Sequence, residues 1–295
     1  MNLNQILHKI NSYEKLMRLD KPIGILLLLW PTLWALWLAS DGKPYWMIVA
    51  IFVLGTVLMR SAGCVINDVA DRNFDGFVER TKNRPIVINE VSVKEALLLA
   101  ATLSFLAFLM ILPLDQLVIK LSFIALILAG TYPYTKRFFV LPQAYLGIAF
   151  GFGAPMAYAA IWGEVPSNGW LLLLSNVFWS IAYDTEYAMV DREDDLKIGI
   201  KSSAIFFGAY DVPVIVLSYL MMLITLTYVG YKCQLGTIFF VDIGITLLIV
   251  LYHFSLIRNR DRDSCFEAFK HNNWIGLSIF LGIFFSLAFK YRIIV

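Results

Sequence analysis

The chain has 295 residues, 59% of them hydrophobic and 16% charged, with mean hydropathy +0.71 and a formal charge of +2. A soluble domain carries about a quarter charged residues, so this composition excludes an ordinary soluble protein, and so small a net charge gives no basis for nucleic-acid binding. The apolar runs are continuous rather than alternating, which points to transmembrane helices and away from a barrel.

Residues 1–21 are polar with Ile6, Leu7, Ile10, Tyr13, Leu16 and Met17 at helical spacing, which predicts an amphipathic helix lying in the membrane interface. No small-residue cleavage pattern follows the first apolar stretch, so the N-terminus reads as lacking a signal peptide. Apolar segments then run over 23–40, 45–67, 95–113, 116–132, 139–162, 169–190, 211–230, 236–256 and 273–290, each near the roughly 20 residues that cross a bilayer. The expected fold is an all-α integral membrane bundle of nine transmembrane helices around a central cavity, in a single domain.

Lys and Arg set the orientation. One set of connections holds Lys9, Lys15, Arg18 and Lys21, then Arg72, Arg80, Lys82, Arg84 and Lys94, then Lys136 and Arg137. It continues with Arg192, Lys197 and Lys201, then Arg258, Arg260, Arg262 and Lys270. The opposite set holds only Lys43, Lys120, Lys232, Lys290 and Arg292. The bias places the N-terminus in the cytoplasm and the C-terminus outside. Cys64, Cys233 and Cys265 are too scattered for a disulfide framework and read as packing residues; His8, His253 and His271 lack ligand spacing, so no zinc or haem site is expected.

The second apolar segment closes in Asn67-Asp68-Val69-Ala70-Asp71-Arg72-Asn73-Phe74-Asp75. A continuing helix would set Asn67, Asp71 and Asp75 within about 80° of arc. The sixth segment closes on Asp184, Asp191 and Asp195, whose offsets put them within about 40°. Asp71-Arg72-Asn73-Phe74-Asp75 recurs as Asp191-Arg192-Glu193-Asp194-Asp195, after a second even-numbered span. That echo suggests two duplicated four-helix halves plus a ninth helix. Both acidic clusters face the cytoplasm on the charge bias, and both require a cation nearby.

Downstream of the first cluster runs Glu79-Arg80-Thr81-Lys82-Asn83-Arg84-Pro85, and after the fourth span Tyr132-Pro133-Tyr134-Thr135-Lys136-Arg137. Carboxylates are hard oxygen ligands suited to Mg2+, and guanidinium groups bind phosphate in a bidentate manner. Together they describe a site for a diphosphate held through metal ions, with a bundle behind it roomy enough for a lipid tail. Arg60 lies inside the second span, where an arginine is functional by default with a carboxylate as its expected partner; a structural ion pair is the alternative.

These motifs make the chain resemble the UbiA superfamily of intramembrane aromatic prenyltransferases. The resemblance rests on Asn67-x-x-x-Asp71-x-x-x-Asp75 with Arg80-Thr81-x-x-Arg84-Pro85, on Asp184-Thr185-x-Tyr187-Ala188-Met189-x-Asp191-Arg192-x-Asp194-Asp195, and on Tyr132 to Lys136. Arg18-Leu19-Asp20-Lys21-Pro22-x-Gly24 resembles the branch that prenylates 4-hydroxybenzoate in bacterial ubiquinone synthesis. One departure is the absence of a glycine near Asn89, which leaves the geometry of that turn open.

The resemblance implies a bacterial inner-membrane enzyme with a cavity open to the bilayer. It implies Mg2+ bridging both acidic motifs to a polyprenyl diphosphate, with Asn67, Asp68, Asp71 and Asp75 on one side and Asp184, Asp191 and Asp195 on the other. Arg80, Arg84, Tyr132 and Lys136 are the implied diphosphate contacts. Asp184 or Asp191 is the candidate to handle the phenol proton, and Arg60, Arg72 and Arg137 are equal candidates for the acceptor carboxylate. A family member with another acceptor (naphthoate, homogentisate or haem) is the alternative, and a cation transporter a more distant one. Carboxylates gathered at one face rather than the midplane disfavour transport. The length of the prenyl tail is not written in any motif.

Overall fold

The computed structural model describes residues 3–135, 138–139, 141–199 and 201–290, and among these it is helical throughout, with no strand. In chain order the helices are α1 Leu3–Met17, α2 Ile23–Ala39, α3 Trp46–Asp71, α4 Val93–Ile111, α5 Gln116–Thr135, α6 Pro142–Gly151, α7 Gly153–Trp162, α8 Ser167–Ile198, α9 Ser203–Phe207, α10 Asp211–Lys232, α11 Thr237–Ile257 and α12 Arg262–Lys290.

Among the described residues each of the nine expected apolar segments contains helix, but only seven helices are long and apolar enough to cross a membrane by those measures alone. The two others depart for different reasons. α2 has 17 residues, about 26 Å of helix, against a hydrocarbon core of about 30 Å. α8 has 32 residues, but its apolar run is interrupted by Ser175, Asn176, Ser180, Thr185 and Glu186, all buried inside the bundle rather than facing lipid. The fifth segment breaks at Phe152 into α6 and α7. Pro155, which has no N–H to donate, removes the helical partner of the Gly151 carbonyl at that break.

α8 is the centre of the bundle, packed against α6, α7, α10 and α12. Small residues permit this. A Cβ on Gly147 of α6 would lie 2.7 Å from the Val177 backbone, and one on Gly276 of α12 would meet Trp30 and Trp179 at 2.2 and 2.8 Å. On the α10–α12 side of α8, Glu186 is wholly buried. Tyr219 hydroxyl stands 2.9 Å from both Glu186 Oε1 and Asn272 Oδ1, Asn272 Nδ2 donates to Glu186 Oε2 at 2.8 Å, and His253 Nδ1 lies 3.4 Å from Glu186 Oε1. Trp179 Nε1 donates to Asn272 at 2.8 Å. A buried polar set of this kind is tolerated because its members satisfy each other.

α1 docks on α3 through Tyr13, Leu16 and Met17, which join a cluster with Ala62, Val65, Val69 and Ile86. Lys9 donates to the Glu90 carbonyl at 2.8 Å and Ser12 to the Glu90 carboxylate at 2.6 Å. Leu3, Ile6, Leu7 and Ile10 are exposed. The helix expected at the membrane surface is thus half committed to protein, with its first turns leaving an apolar face outward.

Asn89 resolves the missing glycine: it adopts φ +61. Asparagine is the residue after glycine that tolerates the left-handed region, so the turn keeps the geometry a glycine would supply. Asn89→Gly is expected to be neutral in thermal unfolding of the detergent-solubilised protein, whereas Asn89→Val should destabilise by ~1–2 kcal/mol. Equal melting curves for the two would refute that account.

Candidate active site

Among the described residues a large cavity of about 1620 Å³ opens between α2–α8 and α12. One end is apolar, lined by α4 and α5 residues such as Phe105, Phe108 and Leu126; the other is ringed by Arg18, Asn67, Asp68, Arg80, Arg84 and Asp184.

The first acidic motif does not continue as one helix. α3 ends at Asp71, and after a turn closed by Phe74 N donating to Asp71 O at 2.8 Å, Asp75 starts a short 3-10 turn over Asp75–Phe77. Asn67 and Asp71 do share a face, with Asn67 Nδ2 donating to Asp71 at 3.2 Å. Asp75 is instead folded back and buried, where Thr81 Oγ1 donates to its carbonyl at 2.7 Å and Arg84 Nη1 to its carboxylate at 2.6 Å. A helix that ran on would carry Asp75 away from Arg84; the turn brings it under the loop.

That loop, 79–85, ties the two motifs together. Arg84 Nη1 lies 2.6 Å from Asp75 and 3.0 Å from Asp68, while Arg80 crosses to α8 and grips Asp191 through Nε and Nη2, at 3.2 and 2.5 Å from Oδ2. The Arg80 guanidinium stacks over the Tyr187 ring at 4.5 Å. Arg18, at the α1–α2 junction in a left-handed conformation (φ +58), also reaches Asp68 at 3.0 Å. Burial opposes the charge on Arg80, but Tyr187 and Asp191 outweigh it and hold its pKa above the ordinary value. Burial likewise opposes Arg84, and Asp68 and Asp75 raise it. Burial pushes Asp75 above the usual carboxylate range, against the pull of Arg84.

The expected ligands fall into two groups. Asn67, Asp68 and Asp184 line the cavity; Asp71, Asp75, Asp191 and Asp195 are not among its lining residues. Among the described residues no three His, Cys, Asp or Glu side chains converge as a metal-holding group. The physical reason is visible: guanidinium groups stand between the carboxylates and neutralise them in pairs. The donors themselves, carboxylates with one amide, are hard oxygens of the kind that suits Mg2+.

Tyr132 lines the cavity; Lys136 and Arg137 lie outside the described residues. The candidates for the acceptor carboxylate separate. Arg72 is exposed and donates to the Val69 carbonyl at 2.8 Å, capping the end of α3 away from the cavity. Arg60 lines the cavity beside Gly24, its guanidinium 5.5 Å above the Phe150 ring and its Nη1 2.6 Å from Cys64 Sγ. No carboxylate pairs with Arg60 among the described residues, contrary to expectation, and its buried Nε has no partner. The sequence reading missed Arg18 and Arg262 as members of the rim and Tyr187 as the ring beneath Arg80. Arg18 and Tyr187 stood within quoted motifs; Arg262 carried no signal beyond its side of the membrane.

The UbiA prenyltransferase family model matches residues 28–291. The chain is 60% identical over 286 residues to a 4-hydroxybenzoate octaprenyltransferase of Methylobacillus flagellatus, covering 97% of each chain. It is 63% identical over 275 residues to one of Azoarcus sp., covering 93% of this chain and 96% of that one. Its fold matches a UbiA homolog from Aeropyrum pernix (TM-score 0.76, 24% identity, 87% of this chain and 96% of that one). It also matches a homolog from Archaeoglobus fulgidus bound to GPP and Mg2+ (TM-score 0.68, 18% identity, 94% and 99%).

Arg84→Met should cost about 3–5 kcal/mol of stability, because Asp75 is left buried without its guanidinium. Arg84→Lys should recover part of this. Denaturant unfolding of the purified protein reads the difference, and an unchanged midpoint for Arg84→Met would discard the bridging role.

Proposed function

The chain belongs to the UbiA prenyltransferase family, and on that footing we infer that it transfers a polyprenyl group from an all-trans polyprenyl diphosphate to 4-hydroxybenzoate. The allylic C–O bond to diphosphate breaks, the new C–C bond forms at the ring carbon ortho to the hydroxyl, and that carbon loses its proton as aromaticity returns, giving 3-polyprenyl-4-hydroxybenzoate, diphosphate and a proton. The observation that carries this reading is the loop 79–85, whose two arginines hold carboxylates of both acidic motifs at the polar end of an otherwise apolar cavity.

Arg80, Arg84, Tyr132 and Lys136 are the phosphate ligands in this reading. Each guanidinium has five donors, so both can turn from carboxylate to phosphate oxygens without leaving the rim. The carboxylates they release, with Asn67, Asp68 and Asp184, form the ligand set for Mg2+. When bound, Mg2+ supplies positive charge that stabilises a departing diphosphate. The chain's own residues do the rest. Arg80 and Arg84 stabilise charge building on the leaving oxygens. Arg60 holds the benzoate carboxylate through its guanidinium, which lines the cavity and has no carboxylate partner among the described residues. Asp184, on the cavity wall, accepts the hydrogen bond of the phenol and orients it. Phe105, Phe108 and Leu126 enclose the far end of the tail.

The protein sits in the bacterial inner membrane with nine spans, α2 and α8 completing the seven that satisfy length and apolarity. α2 crosses by virtue of its flanking turns, and α8 because its polar residues face protein. The N-terminus and the site are cytoplasmic on the Lys/Arg bias, and the acidic motifs close the equivalent helices α3 and α8 of two four-helix halves.

Purified protein in detergent or lipid, given octaprenyl diphosphate and 4-hydroxybenzoate, should form the prenylated benzoate by mass spectrometry. EDTA should abolish turnover and Mg2+ restore it; full activity in EDTA would remove the metal from the reading. Arg60→Gln should raise KM for 4-hydroxybenzoate by about 10-fold or more, the loss of a charged hydrogen bond, while Arg72→Gln stays within about twofold. The reverse pattern would exchange the two assignments.

A further inference from the structure

Segment 258–263 joins α11 to α12 and carries Arg258, Arg260 and Arg262. None of them belongs to an acidic motif or to loop 79–85. Arg260 adopts φ +57, the left-handed region where residues other than glycine are strained. Asp211, the wholly buried first residue of α10, holds it there. Arg260 Nε and Nη2 stand 3.0 and 2.7 Å from Asp211 Oδ1, and Nη2 also donates to the Ala209 carbonyl at 2.9 Å. Asp211 takes a second guanidinium from Arg192 at 3.2 Å, and Arg192 is the α8 neighbour of Asp191. The segment is thereby fastened to the end of the second acidic motif. Asp261 then caps α12, accepting from Ser264 N at 3.0 Å, which fixes the direction in which Arg262 leaves the backbone.

Arg262 lines the cavity with Arg80, Arg84 and Asp184. Its Nη2 is 3.4 Å from Asp194 and 3.9 Å from Asp191, longer than a well-made charged hydrogen bond. Asp191 is already gripped by Arg80. The Arg262 side chain is 45% exposed, and ion pairs so exposed contribute little to stability. A cation in the first turn of a helix also opposes the helix dipole. Folding therefore gives little reason for an arginine at this place, whereas an anion in the cavity gives a good one.

We propose that Arg262 is a diphosphate-binding residue, a third guanidinium that takes phosphate oxygens of the allylic diphosphate alongside Arg80 and Arg84. Arg260 is its positioning residue, acting through the Asp211–Arg192 clasp. The proposal rests on the reading that this cavity takes a polyprenyl diphosphate. Arg262 meets the leaving group and not the acceptor, so its loss changes affinity for diphosphate and spares affinity for 4-hydroxybenzoate.

The test uses the purified full chain in lipid with Mg2+, octaprenyl diphosphate as substrate and inorganic diphosphate as competing inhibitor. Arg262→Gln should raise both the KM for octaprenyl diphosphate and the Ki of inorganic diphosphate on the order of tenfold, with the KM for 4-hydroxybenzoate within about twofold and the melting temperature unchanged. Arg262→Lys should recover part of the loss, and Arg260→Gln should show the same selective rise to a smaller extent. If Arg80→Gln raises both constants while Arg262→Gln moves neither, or moves only the melting temperature, the proposal falls and the diphosphate reading stands. If inorganic diphosphate does not compete in the unmodified protein and Arg80→Gln changes nothing, that reading falls and takes the proposal with it.

Discussion

The structure depends on how clustered carboxylates are kept from repelling one another at the end of an apolar bundle. Isolated buried carboxylates would lose their charge rather than bear the desolvation cost. Here arginines from distant parts of the chain enter between them: Arg84 between Asp68 and Asp75, Arg80 onto Asp191, Arg18 onto Asp68. Each is a charge-assisted bond in a setting where water competes poorly. The guanidinium groups that make the rim foldable are the same groups that can receive a phosphate.

Five separate pieces of chain assemble that rim: the α1–α2 junction, the end of α3, loop 79–85, the later turns of α8, and segment 258–263. Two of the five are held by residues in left-handed conformations, Arg18 and Arg260. Both are arginines whose side chains end on buried aspartates, Asp68 and Asp211. Local backbone strain is offset in each case by a guanidinium–carboxylate contact made more than forty residues away in sequence. The rim is therefore a tertiary construction and not the property of any one motif.

Much of this was legible in the chain itself. The apolar runs foreshadow the helices, seven of which are long and apolar enough to cross a membrane among the described residues, and the Arg80–Arg84 loop does meet carboxylates of both acidic clusters. Spacing alone misled at Asp75, because periodicity assumes the helix runs on and cannot see that α3 stops at Asp71. It also could not assign a partner to Arg60: charge counting expects a carboxylate, and the fold supplies Cys64, Phe150 and an open cavity. Arg262 and Asp211 were invisible for a related reason, since their meaning comes from contacts across loops that no periodicity links. The polar residues of α8 lowered its hydropathy without saying that they point inward. Asn89 shows the reverse case, where a departure from pattern is absorbed by the conformational tolerance of the residue that replaced the glycine.

The polar set around Glu186 has a consequence for the opposite side of α8. Glu186, Tyr219, His253 and Asn272 do not line the cavity, yet they specify how the helix is turned about its own axis. A rotation by one residue, about 100°, would tear Glu186 from Tyr219 and Asn272 and press it against apolar neighbours. The same rotation would swing Asp184 off the cavity wall and Asp191 away from Arg80. The azimuth of the second acidic motif is thus clamped from behind by side chains that never meet a substrate, as a key's bit is set by the flat of its bow.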